Sequence, residues 1–162
     1  MNEEITEYGP HPTCDGRVRM LAPSETLTAI GTDLAHAISV DAYVYSASPT
    51  WIARLLESPL ARGAVRLLVD WKHRSELVDL LEAHATLKIR TYPSNRTQHD
   101  KTIIVHGPNI VYLMTANQNR GAFQLSKNRF VRVDLPTFYL AVARDFDHDW
   151  TRSHRLPGRQ RM

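Results

Sequence analysis

One cysteine, Cys14, stands in the 162 residues. It cannot close an internal disulfide, which excludes a disulfide scaffold and a cysteine-based zinc site and fits a reducing, cytoplasmic compartment. Long apolar runs are missing as well: nothing approaches the roughly 20 residues of a membrane helix, so no membrane partner is expected. The first residues, MNEEITEYGP, are acidic and have no apolar stretch, so no secretory signal is read there. Internal repeats, low-complexity segments and interdomain linkers are absent. The eight histidines form no H-E-x-x-H or Cys/His pattern, so no zinc site is expected, and no cofactor is read from the sequence. What remains is the balance of an ordinary globular chain, 43% hydrophobic and 23% charged, at the length of one domain.

Lysine is scarce too. Of the 20 basic residues 16 are arginine, the side chain whose planar fork suits phosphate, although a compositional bias of the genome gives the same count. The net charge is only +3, but its distribution is uneven. Between Arg90 and Arg132 lie seven basic residues and one acid, Asp100, so that segment carries +6 and the rest of the chain −3. Residues 152–162 add four arginines and no acid. Local basic density of this kind favours a polyanionic partner, or else it is a solvated face with a basic tail.

Hydropathy patterning divides the chain into an arm (1–16), one domain (17–151) and the basic tail (152–162). Arg17–Ala22 alternates as a strand. Ser24 is the expected N-cap of a helix whose Leu27, Ile30, Leu34 and Ile38 face inward. Ser39–Tyr45 alternates again, with Val40, Ala42 and Val44 opposite Asp41, Tyr43 and Tyr45. Ser48-Pro49 opens a second helix, Val65–Val69 is a buried strand, Ser75–His84 a third helix and Leu87–Thr91 another strand. This alternation predicts an α/β fold: a mixed, largely parallel sheet flanked by helices on both faces. Then come Lys101–Val105 and Ile110–Thr115 joined by the turn His106–Asn109, a polar loop, the strand Phe130–Val133, and a helix from Pro136 with Phe138, Val142, Phe146 and Trp150 at helical spacing.

His99 stands where a loop enters a strand, with Lys101 two residues on. Residues i and i+2 of a strand project to one face, so an imidazole and an ammonium lie side by side. The ammonium opposes protonation of the ring, and the pair combines a nucleophile with a phosphate clamp. The strand–turn–strand that follows returns Thr115 and Asn117 near its start, adding a hydroxyl and an amide.

The run HDKTIIVHGPNIVYLMTAN resembles the HxKxxxxD…GSxN motif of the phospholipase D superfamily, in its single-motif nuclease branch. Leu27–Tyr45, LARGAVRLLVD (60–70), Leu87–Thr91 and Asn128–Trp150 resemble the family's flanking elements, so the likeness spans about residues 17–151. It implies a phospholipase D-like fold, His99 as a nucleophile that forms a phosphohistidine, Lys101 and Asn117 as phosphate ligands, and Thr115 in support. It implies no metal, and a homodimer in which two copies of the motif face each other. Three positions depart from the pattern. His106 replaces the motif's Asp, Met114-Thr115 replaces Gly-Ser, and Asn128 stands where a Glu orients the nucleophile.

The short, single-motif branch of the family is mainly nuclease. The expected function is therefore a metal-independent endonuclease of low sequence specificity acting on DNA, with single-stranded DNA and RNA left open. The residues expected to meet the nucleic acid are Arg96, Arg120, Lys127 and Arg129. Tyr92 and Phe123, in the same loops, are either stacking platforms or packing residues. Two alternatives stand beside this reading: a catalytically impaired nucleic-acid-binding dimer, and a phosphodiesterase acting on a lipid or small molecule. The size and arginine usage suit a phage or mobile-element gene.

Overall fold

Eight strands line up in one mixed sheet in the order β1-β7-β6-β5-β2-β3-β4-β8. The computed structural model describes residues 17–93, 95–124 and 128–156. The expected arm (1–16), Lys127 and the tail from residue 157 lie outside the described residues. The strands are β1 (Val18–Leu21), β2 (Ser39–Val44), β3 (Val65–Val69), β4 (Lys88–Thr91), β5 (Thr102–His106), β6 (Ile110–Met114), β7 (Phe130–Val133) and β8 (His154–Arg155). The helices are α1 (Pro23–Ala35), α2 (Pro49–Leu55), α3 (Glu57–Ala61), α4 (Val78–Ala83), α5 (Arg120–Gln124) and α6 (Pro136–Arg152), with a 3-10 segment over Trp71–Leu77.

The expected parallel majority is wrong. Only β2–β3 and β3–β4 pair in parallel, and the other five pairings are antiparallel. Parallel neighbours need a crossover, and helical crossovers join neighbouring strands only from β2 to β3 and from β3 to β4, whereas α1 and α6 connect strands that are not adjacent. β5 arrives by a loop and pairs antiparallel with β2. β5 and β6 form a hairpin whose turn uses positive φ at Gly107 (105°) and Asn109 (60°), residues that tolerate it. The expected basic tail (152–162) starts on the last residue of α6, and its His154 and Arg155 pair with Thr91 and Arg90 at the edge of the sheet.

Period-two alternation sorts the strand residues onto two faces. Val40, Ala42, Val44, Leu67, Ile103 and Val105 are buried against Ile30, Leu34, Trp51, Ile52, Leu77 and Phe123 from the helices of one layer. Tyr43, Leu68, Ile104, Val111 and Val133 pack on the other face with Phe146 of α6. Along the expected apolar row of α6, Phe146 is fully buried, while Phe138, Val142 and Trp150 are half-buried around it.

Two local expectations change. α1 begins after Ala22, which makes no side-chain cap, with Pro23 rather than Ser24 at the boundary. The helix ends at Ala35, so Ile38 lies beyond it and is 74% exposed instead of inward. Its closing carbonyls are met by Arg62, which donates to Leu34, Ala35 and Ala37, a cation at the negative end of the helix dipole. No helix among the described residues is long and apolar enough to cross a membrane.

Candidate active site

The loop that carries His99 is fastened from behind. Asp70, at the C-terminal end of β3 and 1% exposed, accepts from the amide of Gln98 at 2.8 Å and from the amide of Lys72 at 2.9 Å. The Gln98 carboxamide donates to the Leu68 carbonyl at 3.3 Å. One buried carboxylate thus ties the β4–β5 loop to the 3-10 segment and presents His99 at the rim of the sheet. His99 itself is exposed.

Lys101 is 8% exposed and folds back along the loop. Its Nζ lies 2.9 Å from the His99 carbonyl oxygen and 3.2 Å from Nδ1 of the ring. An ammonium only donates, so Nδ1 accepts in this state. Burial holds the Lys101 pKa below the ordinary lysine value, against the opposing charge of Asp100. A cation that gains little from its surroundings is ready for an anionic ligand.

β6 returns beside β5, as the hairpin requires. His99, Lys101, Thr102, Leu113, Met114 and Thr115 line one open cleft of about 350 Å³ together with Asp100. The structure therefore brings His99, Lys101 and Thr115 together. Thr115 Oγ1 donates to Asn128 Oδ1 and accepts from the Arg129 amide, both at 2.9 Å. Asn128 donates in turn to the Ala122 carbonyl at 2.8 Å. Asn128 thus holds Thr115 and the start of α5. Met114, at the position of the motif's Gly, puts an apolar wall on the cleft and accepts a weak 3.5 Å bond from Gln118. Asn117 follows in the loop, half-buried, and its Oδ1 is buried without a partner among the described residues.

His106 is placed elsewhere. Seven residues from His99, it sits at the far end of β5, where Nε2 lies 2.7 Å from Asp41 Oδ2 and Nδ1 2.5 Å from the Tyr139 hydroxyl. Asp41 also receives a two-pronged contact from Arg66 at 2.7 Å, and Arg66 reaches Asp147 of α6 at 2.8 Å. Burial pushes the Asp41 pKa up, but the hydrogen bonds of His106 and Arg66 and their charges outweigh it, so the net direction is down.

Three residues near His99, Tyr45 directly and His73 and Glu76 behind it, were not singled out from the sequence. The Tyr45 ring packs against His99 at 4.4 Å and His73 at 4.7 Å between centroids, with Lys101 Nζ 5.2 Å above it. His73 Nδ1 is 2.6 Å from Glu76 Oε1, and Glu76 also accepts from Ser46 Oγ and the Ala47 amide. The available signal was His73-x-x-Glu76, an i,i+3 pair that meets on one side of a helical turn. Among the described residues no group of three or more His, Cys, Asp or Glu is placed to hold a metal ion.

The basic segment divides. Arg90 donates to the Trp150 carbonyl and stacks on its ring, and Arg132 pairs with Asp33, so both serve the fold. Arg96, Arg120 and Arg129 are exposed, and Lys127 lies outside the described residues. Phe123 is a packing residue, fully buried between Trp51 and Phe130. Tyr92 is half-buried beside α6, where burial and Asp149 raise its pKa.

A mixed sheet with two parallel crossovers and helices on both faces defines the class of fold. The chain has the phospholipase D-like fold. It is similar to NucT from Helicobacter pylori (TM-score 0.73, 18% identity, covering 85% of this chain and 98% of that one). It is also similar to Nuc, a phospholipase D family member from Salmonella typhimurium (TM-score 0.67, 21% identity, covering 85% and 96%). Phosphatidylserine synthase from Haemophilus influenzae shares the fold (TM-score 0.70, 12% identity) over 90% of this chain and 40% of the synthase. No family model and no curated protein matches the sequence.

Proposed function

We propose that the chain is a metal-independent phosphodiesterase that works as a homodimer, an endonuclease of low sequence specificity that cuts DNA through a phosphohistidine. The observation that carries this reading is the contact of Lys101 Nζ with His99 at an exposed rim that Thr115 shares. An incoming phosphodiester attracts the Lys101 ammonium away from Nδ1. Nδ1 then takes the ring proton, and the Nε2 lone pair attacks phosphorus. The N–P bond forms as the P–O bond to the leaving group breaks. The partner's His99 gives that oxygen a proton, then removes one from water as it cleaves the N–P bond. Two Lys101 ammoniums balance the charge on the phosphoryl oxygens, and two-fold symmetry suits a site built from two identical halves.

Chain length supports the short branch of the fold: this chain spans nearly all of NucT and Nuc but well under half of the synthase. Arg96, Arg120 and Arg129 around the rim suit a phosphate backbone. One observation favours a second reading, a DNA-binding dimer without turnover. The position expected to give His99 a carboxylate holds Asn128, and its amide is engaged with Thr115 and Ala122. Cleavage of plasmid and single-stranded DNA in excess EDTA, with wild type beside His99→Ala, separates the two. Cleavage by wild type alone establishes the nuclease. Salt-dependent binding with no cleavage by either establishes the binder. A strict monomer in solution contradicts the shared site in both readings.

A further inference from the structure

The two sides of His99 differ in charge. Toward α6, a cleft of about 300 Å³ is bordered by Asp100, Asp145 and Asp149, with His148 and the Tyr43 hydroxyl, which donates to Asp149 at 2.7 Å. A phosphate chain is repelled there. The 3-10 segment Trp71–Leu77, which begins Trp71-Lys72-His73-Arg74, reaches His99 by way of His73 and Tyr45. The acids of this segment point inward or are occupied: Asp70 is buried on the amides of Lys72 and Gln98, and Glu76 binds His73, Ser46 and Ala47. The Arg74 guanidinium sits over the Trp71 ring, its Cζ 3.8 Å from the centroid, and donates to the Trp71 carbonyl at 2.6 Å. That pair is a preformed cationic plate. Lys72 is exposed beside it, and Tyr45 links the segment to His99 through the His73 ring.

We infer that Trp71, Lys72 and Arg74, with Tyr45, form a subsite for an unpaired nucleotide next to the scissile phosphate. Single strands bind where cations track the backbone and aromatic planes receive free bases. A duplex keeps its bases stacked internally and cannot use the plate. This inference rests on the nuclease reading for the position of the scissile phosphate, and it narrows the substrate to single-stranded nucleic acid.

The test measures binding, not turnover, on the full-length chain in EDTA. The probe is a fluorescein-labelled single-stranded deoxythymidine oligomer, with a blunt duplex of equal length alongside. Lys72→Ala weakens the single-strand complex severalfold and lowers the slope of log K against log salt by about one. Trp71→Ala weakens it about tenfold and leaves that slope unchanged. Lys88→Ala, exposed at the opposite end of the sheet, changes neither. Duplex binding falls less than single-strand binding in the first two variants. Unchanged single-strand affinity in Lys72→Ala and Trp71→Ala overturns the subsite, as does an equal loss on duplex. Lys72 carries the test alone if Trp71→Ala fails to fold. Intact, Lys72-dependent binding without cleavage would overturn the nuclease and leave the subsite standing. Cleavage with Lys72-independent binding does the reverse.

Discussion

One histidine lies in the loop that enters β5 and another ends the strand, and the two have opposite surroundings. His106 is closed on both ring nitrogens, by Asp41 and by Tyr139, within a network that includes Arg66 and Asp147. His99 meets Lys101 at one nitrogen, is exposed, and has no hydrogen-bond partner at Nε2 among the described residues. They stand roughly 20 Å apart along an extended chain. A histidine whose two nitrogens are matched by neighbours has its orientation and tautomer decided by the fold. One left open at the rim is available to a substrate. The comparison gives His106 the work of joining β2, β3, β5 and α6, and leaves His99 open for the chemistry proposed for it.

The strongest way to break this contrast is to exchange the expected effects. His99→Ala should lower DNA cleavage by at least about a thousandfold and leave the melting temperature within a degree or two, measured by calorimetry beside a gel assay. A large loss of stability would make His99 structural as well. Lys101→Met should cost about a hundredfold or more in cleavage. Its melting temperature should not fall, because the folded state no longer buries a cation whose pKa burial depresses.

His106→Ala should cost about 3 kcal/mol in chemical denaturation, since it leaves Asp41, 3% exposed at its side chain, short of a partner. Activity per folded molecule should persist. His106→Asp should be worse at neutral pH, because it sets two carboxylates together, and Asp41→Asn added to it should recover part of the loss. If His106→Asp proves neutral, the network described here does not hold β5.

pH sharpens the same end of the strand. The Asp41 pKa lies below its ordinary value in the folded state, so ionised Asp41 stabilises the fold above about pH 4, and this contribution is lost as the pH falls through the folded value. The stability difference between wild type and Asp41→Asn should therefore shrink from about pH 5 to pH 2. A constant difference over that range would place the stabilisation elsewhere. The smallest effect belongs to Thr115→Val, about 1 kcal/mol or less, because the Arg129 amide it leaves is at an exposed position.

Much of the architecture was legible from local pattern. Val65–Val69 and Phe130–Val133 match the expected strands residue for residue, and Ser48 caps α2 by accepting from the Trp51 amide. Ile38 was misread because helical spacing continues past the residue where Arg62 closes α1, and that arginine arrives from 27 residues beyond Ala35. The parallel majority was misread because strand–helix alternation constrains only the crossovers that contain helices. The basic segment looked uniform in sequence, yet Arg90 and Arg132 turn inward to Trp150 and Asp33 while Arg96, Arg120 and Arg129 stay exposed.

The nearness of His99 to Lys101 follows from covalent spacing alone, since two residues along an extended chain bring side chains to one face. The return of Thr115 follows from a short turn between two β-prone runs. Those are local facts, and any fold that accepts the hairpin inherits them. Which histidine would stay open, which arginines would face solvent, and which ring would stand beside His99 depended on partners distant in sequence. Asp41 and Tyr139 meet at His106, and Asp70 and Tyr45 set the surroundings of His99, only when the sheet pairs and α6 closes over it, because hydrogen bonds and burial are properties of the packed neighbourhood rather than of the residue.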